Sequence, residues 1–110
     1  MIALWLDDLR DPSRYCFPEG ATPVWVKTRE EFEVEFLRLV SEGTLYSVHF
    51  DNDLGRTDPG TEGRHCFNWM EEQCRENGFG PFKLFAHTSN PAARKELNTG
   101  FNSLERFWNK

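Results

Sequence analysis

No apolar run in this sequence approaches the roughly 18–20 residues that a membrane-spanning helix needs. The N-terminus, "MIALWLDDLR", meets acid after six residues and lacks a basic leader, so it does not read as a secretory signal. A cytosolic (cytoplasmic) protein with no membrane partner is therefore expected. Cysteine is scarce and odd in number: Cys16, Cys66 and Cys74, with no C-x-x-C spacing. That argues against a disulfide framework, and the thiols read as reduced and idle. His65 beside Cys66 has no second pair at ligand spacing, which removes the zinc reading. Basic charge is also short, with 13 Lys and Arg against 18 Asp and Glu and a net charge of −5. Long nucleic-acid duplexes are held through clustered basic side chains, so no duplex partner is expected. A small phosphate, or a nucleic-acid end held by a few residues, stays open. Low-complexity tracts, linkers and internal repeats are missing too, and residues 1–110 read as a single domain.

What the chain does have is aromatic volume, ten Phe and four Trp, enough to build a core despite the modest aliphatic content. Trp5 and Trp25 read as core. "IALWL", Ile2–Leu6, is a short apolar run bounded by acids and reads as a buried strand. Leu9 to Thr22 contains Pro12, Pro18 and Gly20 and reads as a long loop with at most a turn of helix. "PVWVK", Pro23–Lys27, is the second strand. Thr28-Arg-Glu-Glu31 is a capping-box pattern that opens a helix carrying Phe32, Phe36, Leu39 and Val40, stopped at Gly43. Leu45–Phe50 is the third strand. Arg64 to Asn77 is a second helix, with Phe67, Met70 and Cys74 on one side and Gly78 after its end. "FKLFA", Phe82–Ala86, is the fourth strand. Asn90-Pro91 opens a last helix, in which Leu97, Phe101, Leu104 and Trp108 can cover the sheet.

Strands alternating with helices, and strands that are continuously apolar, predict a parallel sheet covered on both faces, an α/β three-layer sandwich. The first crossover is mostly loop, and no fifth strand is evident. In such sheets ligands collect beyond the C-terminal strand ends where the strand order reverses. With four strands in the order 2-1-3-4, that point lies between strands one and three. Strand one ends in Asp7-Asp8 and strand three in Asp51-Asn52-Asp53.

Two carboxylates ~5–6 Å apart repel by about 3 kcal/mol at an effective dielectric near 20. Several such pairs rival a total stability of roughly 5–15 kcal/mol. Either the acids splay into water and cap loops, or one is protonated, or a cation sits among them. Oxygen ligands suit Mg2+ or a similar hard ion such as Mn2+. A calcium loop over Asp51–Glu62 fails, because Arg56 stands where the required glycine belongs and Gly55 where an oxygen ligand belongs.

Other informative residues fall on the same rim. Arg10 and Arg14 follow strand one, and Arg56 and Arg64 follow strand three. Singly each reads as a surface charge; as a group beside the acids they suggest a phosphate, whose oxygens match the planar guanidinium fork. Strand four runs into "HTSNP", bringing His87, Thr88, Ser89 and Asn90 to a helix N-terminus, where anions are favoured. His87 is a candidate general acid or base, or else an imidazole buried against the sheet. Ser89 or Asn90 caps the helix. His49, inside its strand, reads as structural.

An acidic pair after strand one, an Asp after strand three and a hydroxyl after strand four resemble response-regulator receiver domains. That family has a flavodoxin-like fold in which the acids bind magnesium and the central Asp accepts a phosphoryl group. The receiver lysine at the end of a fifth strand has no counterpart: Lys83 is at the wrong end of strand four and Lys95 is in the following helix. "LWLDDLRDP", "HFDNDLG", "TEG" at Thr61–Gly63 and "HTSNP" are together more similar to the cyclic-phosphate processing receiver-like domain family. The likeness runs from Ile2 to about Leu97 and implies action on cyclic phosphate ends, in RNA repair or nucleotide metabolism. Carried over, it implies a metal held by Asp8 and Asp51, with Asp53 helping through its carboxylate or carbonyl and Asp7 supporting. Arg10 would grip a phosphate oxygen, and His87 with Thr88 or Ser89 would face the scissile bond. The implied activity is metal-dependent hydrolysis of a 2′,3′-cyclic phosphate RNA end or a cyclic nucleotide. The competing classes are a signalling module phosphorylated on Asp51 and a non-catalytic cyclic-nucleotide binder.

Overall fold

The computed structural model describes all residues, 1–110. Four strands and three helices follow one another as β1 (Ile2–Leu6), β2 (Thr22–Val26), α1 (Arg29–Glu42), β3 (Leu45–Phe50), α2 (Gly63–Asn77), β4 (Lys83–Ala86) and α3 (Pro91–Trp108). The sheet is parallel throughout, in the order β2-β1-β3-β4, as the alternating pattern predicts. There is no fifth strand, so β4 is an edge.

Local signals set the helix limits. The Thr28 hydroxyl accepts the Glu31 N–H at 3.2 Å and opens α1. Gly43 and Gly78 close α1 and α2 in the left-handed conformation, which costs glycine no Cβ clash. Asn90 accepts the N–H groups of Ala92 and Ala93 at 3.0 and 3.2 Å, and Pro91 takes the first position of α3.

Alternation along the strands separates two packing faces. Leu4, Leu6, Val26, Val48 and Phe50 point to one face, where all three helices pack through Phe32, Phe36, Met70, Phe67, Leu97, Phe101 and Leu104. Each such side chain, fully buried, contributes about 1.5–3 kcal/mol. The opposite face carries Ala3, Trp5 and Trp25, and its cover is the β1–β2 connection through Tyr15, Phe17 and Ala21. That layer is loop with two short 3-10 turns, Pro12–Arg14 and Pro18–Gly20. Proline at each turn prevents a longer helix from propagating through it. Both faces are covered as expected, but one of them by a connection.

The register matters most for function. Val26, Leu6, Phe50 and Ala86 form one row across the sheet. Hydrogen bonds carry the row one residue further: Asp7 N–H to Val26 O, Asp51 N–H to Leu6 O, and His87 N–H to Phe50 O. Asp7, Asp51 and His87 therefore stand side by side at the C-terminal edge.

Candidate active site

Asp7 is 1% exposed and organises the loop that follows it. Its Oδ1 accepts the N–H groups of Leu9 and Arg10 at 3.0 and 2.9 Å. The indole N–H groups of Trp5 and Trp25 tie down the same loop by donating to Arg10 O and Asp7 O, at 2.9 and 2.7 Å. Asp7 Oδ2 is buried and accepts no hydrogen bond, although Arg10 Nε lies 3.1 Å from it. Asp8, half-buried, faces Gly55 so closely that a Cβ there would lie 2.8 Å from Asp8 Oδ2. Gly55 also has a positive φ of 72°, so the glycine of "DNDLG" serves both the turn and the carboxylate.

Asp51 is buried, with Oδ1 accepting the Asn52 N–H at 2.9 Å and lying 3.7 Å from Arg10 Nη2 in an ion pair. Burial and the neighbouring Asp7 push its carboxyl up to about 6, against the opposing pull of Arg10 and the Asn52 N–H. Ligand oxygens of Asp7, Asp8 and Asp51 all lie within 4.8 Å of one another. This all-oxygen set, with one buried acceptor that takes no hydrogen bond and one carboxyl raised by burial and its neighbours, fits a hard divalent cation. Asp53 lines the same cavity but does not belong to the trio. It is exposed and its Oδ1 accepts the Gly55 N–H at 2.9 Å.

The acids open into a cavity of about 480 Å3. Of "HTSNP", Thr88, Ser89 and Asn90 line its far wall, whereas His87 stands beside the cavity and does not line it. Thr88 is buried, its hydroxyl accepts the Asn90 N–H at 3.1 Å, and its carbonyl accepts from Arg94 at 2.6 Å. Leu9 is the one apolar residue in the lining and is 82% exposed.

Of the four expected phosphate-binding arginines, only Arg10 meets the acids. Arg56 is engaged by Glu30 and Asp58, both at 2.9 Å, and Arg64 by Glu62 and Glu96 at 3.4 and 3.2 Å. Arg14 is exposed and does not line the cavity. Arg56 and Arg64 are each held between one carboxylate two residues away, Asp58 or Glu62, and one distant in sequence, Glu30 or Glu96, and no local pattern reveals the distant one. His87 lies among Trp5, Tyr15 and His49, with ring centroids 4.7, 4.9 and 5.0 Å away. Burial, reinforced by Arg10, lowers its pKa, so the cationic form that a general acid needs is disfavoured. His49, read as structural, proves to be hydrogen-bonded to His87 at 2.8 Å.

Asn52 was not singled out from the sequence, yet it joins the site to α2. Its Nδ2 donates to Glu62 at 2.9 Å and its Oδ1 accepts the Arg64 N–H at 3.1 Å. Within "TEG", Thr61 closes a turn onto Asp58 O, Glu62 holds Asn52, and Gly63 packs on the Asp51 backbone. Residues 2–103 match the family described as Cyclic-phosphate processing Receiver domain. The chain belongs to that family. Neither the curated proteins nor the solved structures yield a significant match to it. This cyclic-phosphate processing receiver domain has acidic strand ends and hydroxyls between β4 and α3, and its cavity contains no lysine. No helix of this receiver domain is long and apolar enough to cross a membrane.

Proposed function

We propose that this receiver domain hydrolyses a cyclic phosphodiester, such as a 2′,3′-cyclic phosphate at an RNA end or on a nucleotide, with Mg2+ or Mn2+ held by Asp7, Asp8 and Asp51. The observation that carries this reading is the oxygen trio with Asp7 Oδ2 buried, free of hydrogen bonds and paired in charge with Arg10, in one cavity. A cation bound there supplies Lewis-acid polarisation of the phosphoryl oxygen and a more acidic water.

The chain's own side chains account for the rest. Arg10, anchored by Asp7 and half-exposed, offers its remaining N–H groups to a phosphate oxygen. Ser89 at the cavity wall offers a hydroxyl, and Thr88 fixes the turn that presents it. The water oxygen adds to phosphorus and gives up a proton to solvent, one ring P–O bond breaks, and the released ribose oxygen takes up a proton from solvent, so the net reaction consumes one water. The substrate is small, because one cavity and one arginine cannot track a long backbone.

The test is turnover of 2′,3′-cyclic nucleotides and cyclic-phosphate-ended RNA oligomers with Mg2+, with Mn2+ and with chelator, for wild type and Asp51→Asn. Metal-dependent ring opening that disappears in Asp51→Asn supports the reading. Absence of turnover with either metal sinks it. Phosphorylation of Asp51 in signalling is disfavoured, because Lys83 starts β4 at the opposite end of the sheet and Lys95 sits exposed on α3. A mass shift with a small phosphodonor, lost in Asp51→Asn, would revive it.

A further inference from the structure

Three polar side chains lie in series on the aromatic face of the sheet. Ser47 Oγ is 2.9 Å from His49 Nε2, and His49 Nδ1 is 2.8 Å from His87 Nε2. Ser47 is 0% and His49 1% exposed. The Ser47 hydroxyl has no other hydrogen-bond partner. His87 Nδ1 has no partner within the protein and is not enclosed, so it is the only end of the chain open to solvent. His87 is next to Asp51 in the strand row and precedes Thr88 in the cavity wall.

With both rings neutral the series has three hydrogens to place, and two directions are available. In one, the Ser47 hydroxyl donates to His49 Nε2, His49 Nδ1–H donates to His87 Nε2, and His87 Nδ1–H faces solvent. Every hydrogen is used. In the other, His87 Nε2–H donates to His49 and His49 Nε2–H donates to Ser47, leaving the Ser47 hydroxyl hydrogen buried with no acceptor. Buried donors without acceptors are disfavoured, which selects the first direction.

We propose that Ser47 and His49 are positioning residues that hold His87 as a neutral Nδ1–H donor, available to an oxygen of a cyclic phosphate in the adjacent cavity. A neutral imidazole can polarise a substrate oxygen by donating a hydrogen bond without transferring its proton. This replaces the general-acid role for His87, since losing Nδ1–H from the neutral ring would leave an anion among aromatic side chains. The ligand half of the inference rests on the cyclic-phosphate reading; the tautomer half stands without it.

Nitrogen-15 NMR of the ring nitrogens tests both halves on the intact protein. At a pH where both rings are neutral, His87 should show a protonated Nδ1 and a bare Nε2, exceeding the other tautomer by about tenfold or more. A His87 protonated on Nε2 overturns the proposal. Ser47→Ala removes the donor that sets the direction, so the preference should collapse towards an even mixture, and an unchanged ratio removes Ser47 from the device. Saturation with 2′,3′-cyclic AMP should then move the His87 Nδ1–H resonance. If the Arg10 side-chain signals move and His87 does not, the donor role fails while the cyclic-phosphate reading survives. If neither moves, both fail.

Discussion

Gly63 rests directly on the backbone carbonyl of Asp51: a Cβ added to Gly63 would overlap that oxygen. The Gly63 N–H also donates to Asn52 O at 2.9 Å, so backbone contacts reinforce the Asn52 side chain in clamping the start of α2 to the end of β3. Gly63→Ala should therefore cost roughly 2–3 kcal/mol, since neither backbone can yield without pulling Asp51 from its row. Urea denaturation measures this, and a variant within about 0.5 kcal/mol of wild type refutes the clamp.

Asp51 predicts an unusual pH response in chelator-treated protein. Its carboxyl is raised from 3.8 to about 6 in the fold. A raised carboxyl contributes its stability below about 4, and that contribution is lost as pH rises through 6. Asp51→Asn abolishes the ionisation, so at pH 8 the variant should exceed wild type by up to about 3 kcal/mol. The difference should shrink as pH falls towards 4. Thermal melts of the pair across this range are decisive: a variant less stable than wild type at pH 8 in chelator contradicts the repulsion. If the trio holds Mg2+ as proposed, saturating Mg2+ should reverse the order, since a ligand stabilises only the protein that binds it.

His49 predicts the opposite slope. Burial, then the adjacent His87, lowers it from 6.5 to about 3. Its contribution is complete above pH 6.5 and is lost as pH falls towards 3, at about 1.4 kcal/mol per unit. His49→Gln should flatten the acid limb of a stability–pH curve by one proton. An unaltered limb would show that His49 is protonated in the fold.

The arginines separate by partner. Arg10→Ala should weaken binding of 2′,3′-cyclic AMP by about tenfold or more, the worth of a charge-assisted hydrogen bond. Arg56→Ala and Arg64→Ala break surface ion pairs only and should leave binding within about twofold. Calorimetric titration of the three variants checks this; equal losses in all three would return Arg56 and Arg64 to the site.

Much of the fold was legible because its causes are local. Thr28, Asn90, Gly43 and Gly78 cap helices through atoms a few residues away, and the apolar runs ending in Asp7 and Asp51 mark strand ends by composition. The acidic pocket was legible for the same reason once the strand order was in hand. Asp53 was legible as a cavity residue, but that its Oδ1 also accepts the Gly55 N–H was not. Leu9 carried no signal, because an isolated leucine among acids looks like any core residue.

By itself, then, the sequence determined the succession of strands and helices and the carboxylates at the ends of β1 and β3, since periodicity and termination are written in neighbouring residues. Tertiary structure decided which side chains meet. Parallel register set Asp7, Asp51 and His87 in one row; distant glutamates and Asp58 took Arg56 and Arg64 away from the acids; and His49 was brought to His87 from 38 residues away. Such meetings depend on how strands align and on which partners compete, and those are properties of the whole sheet.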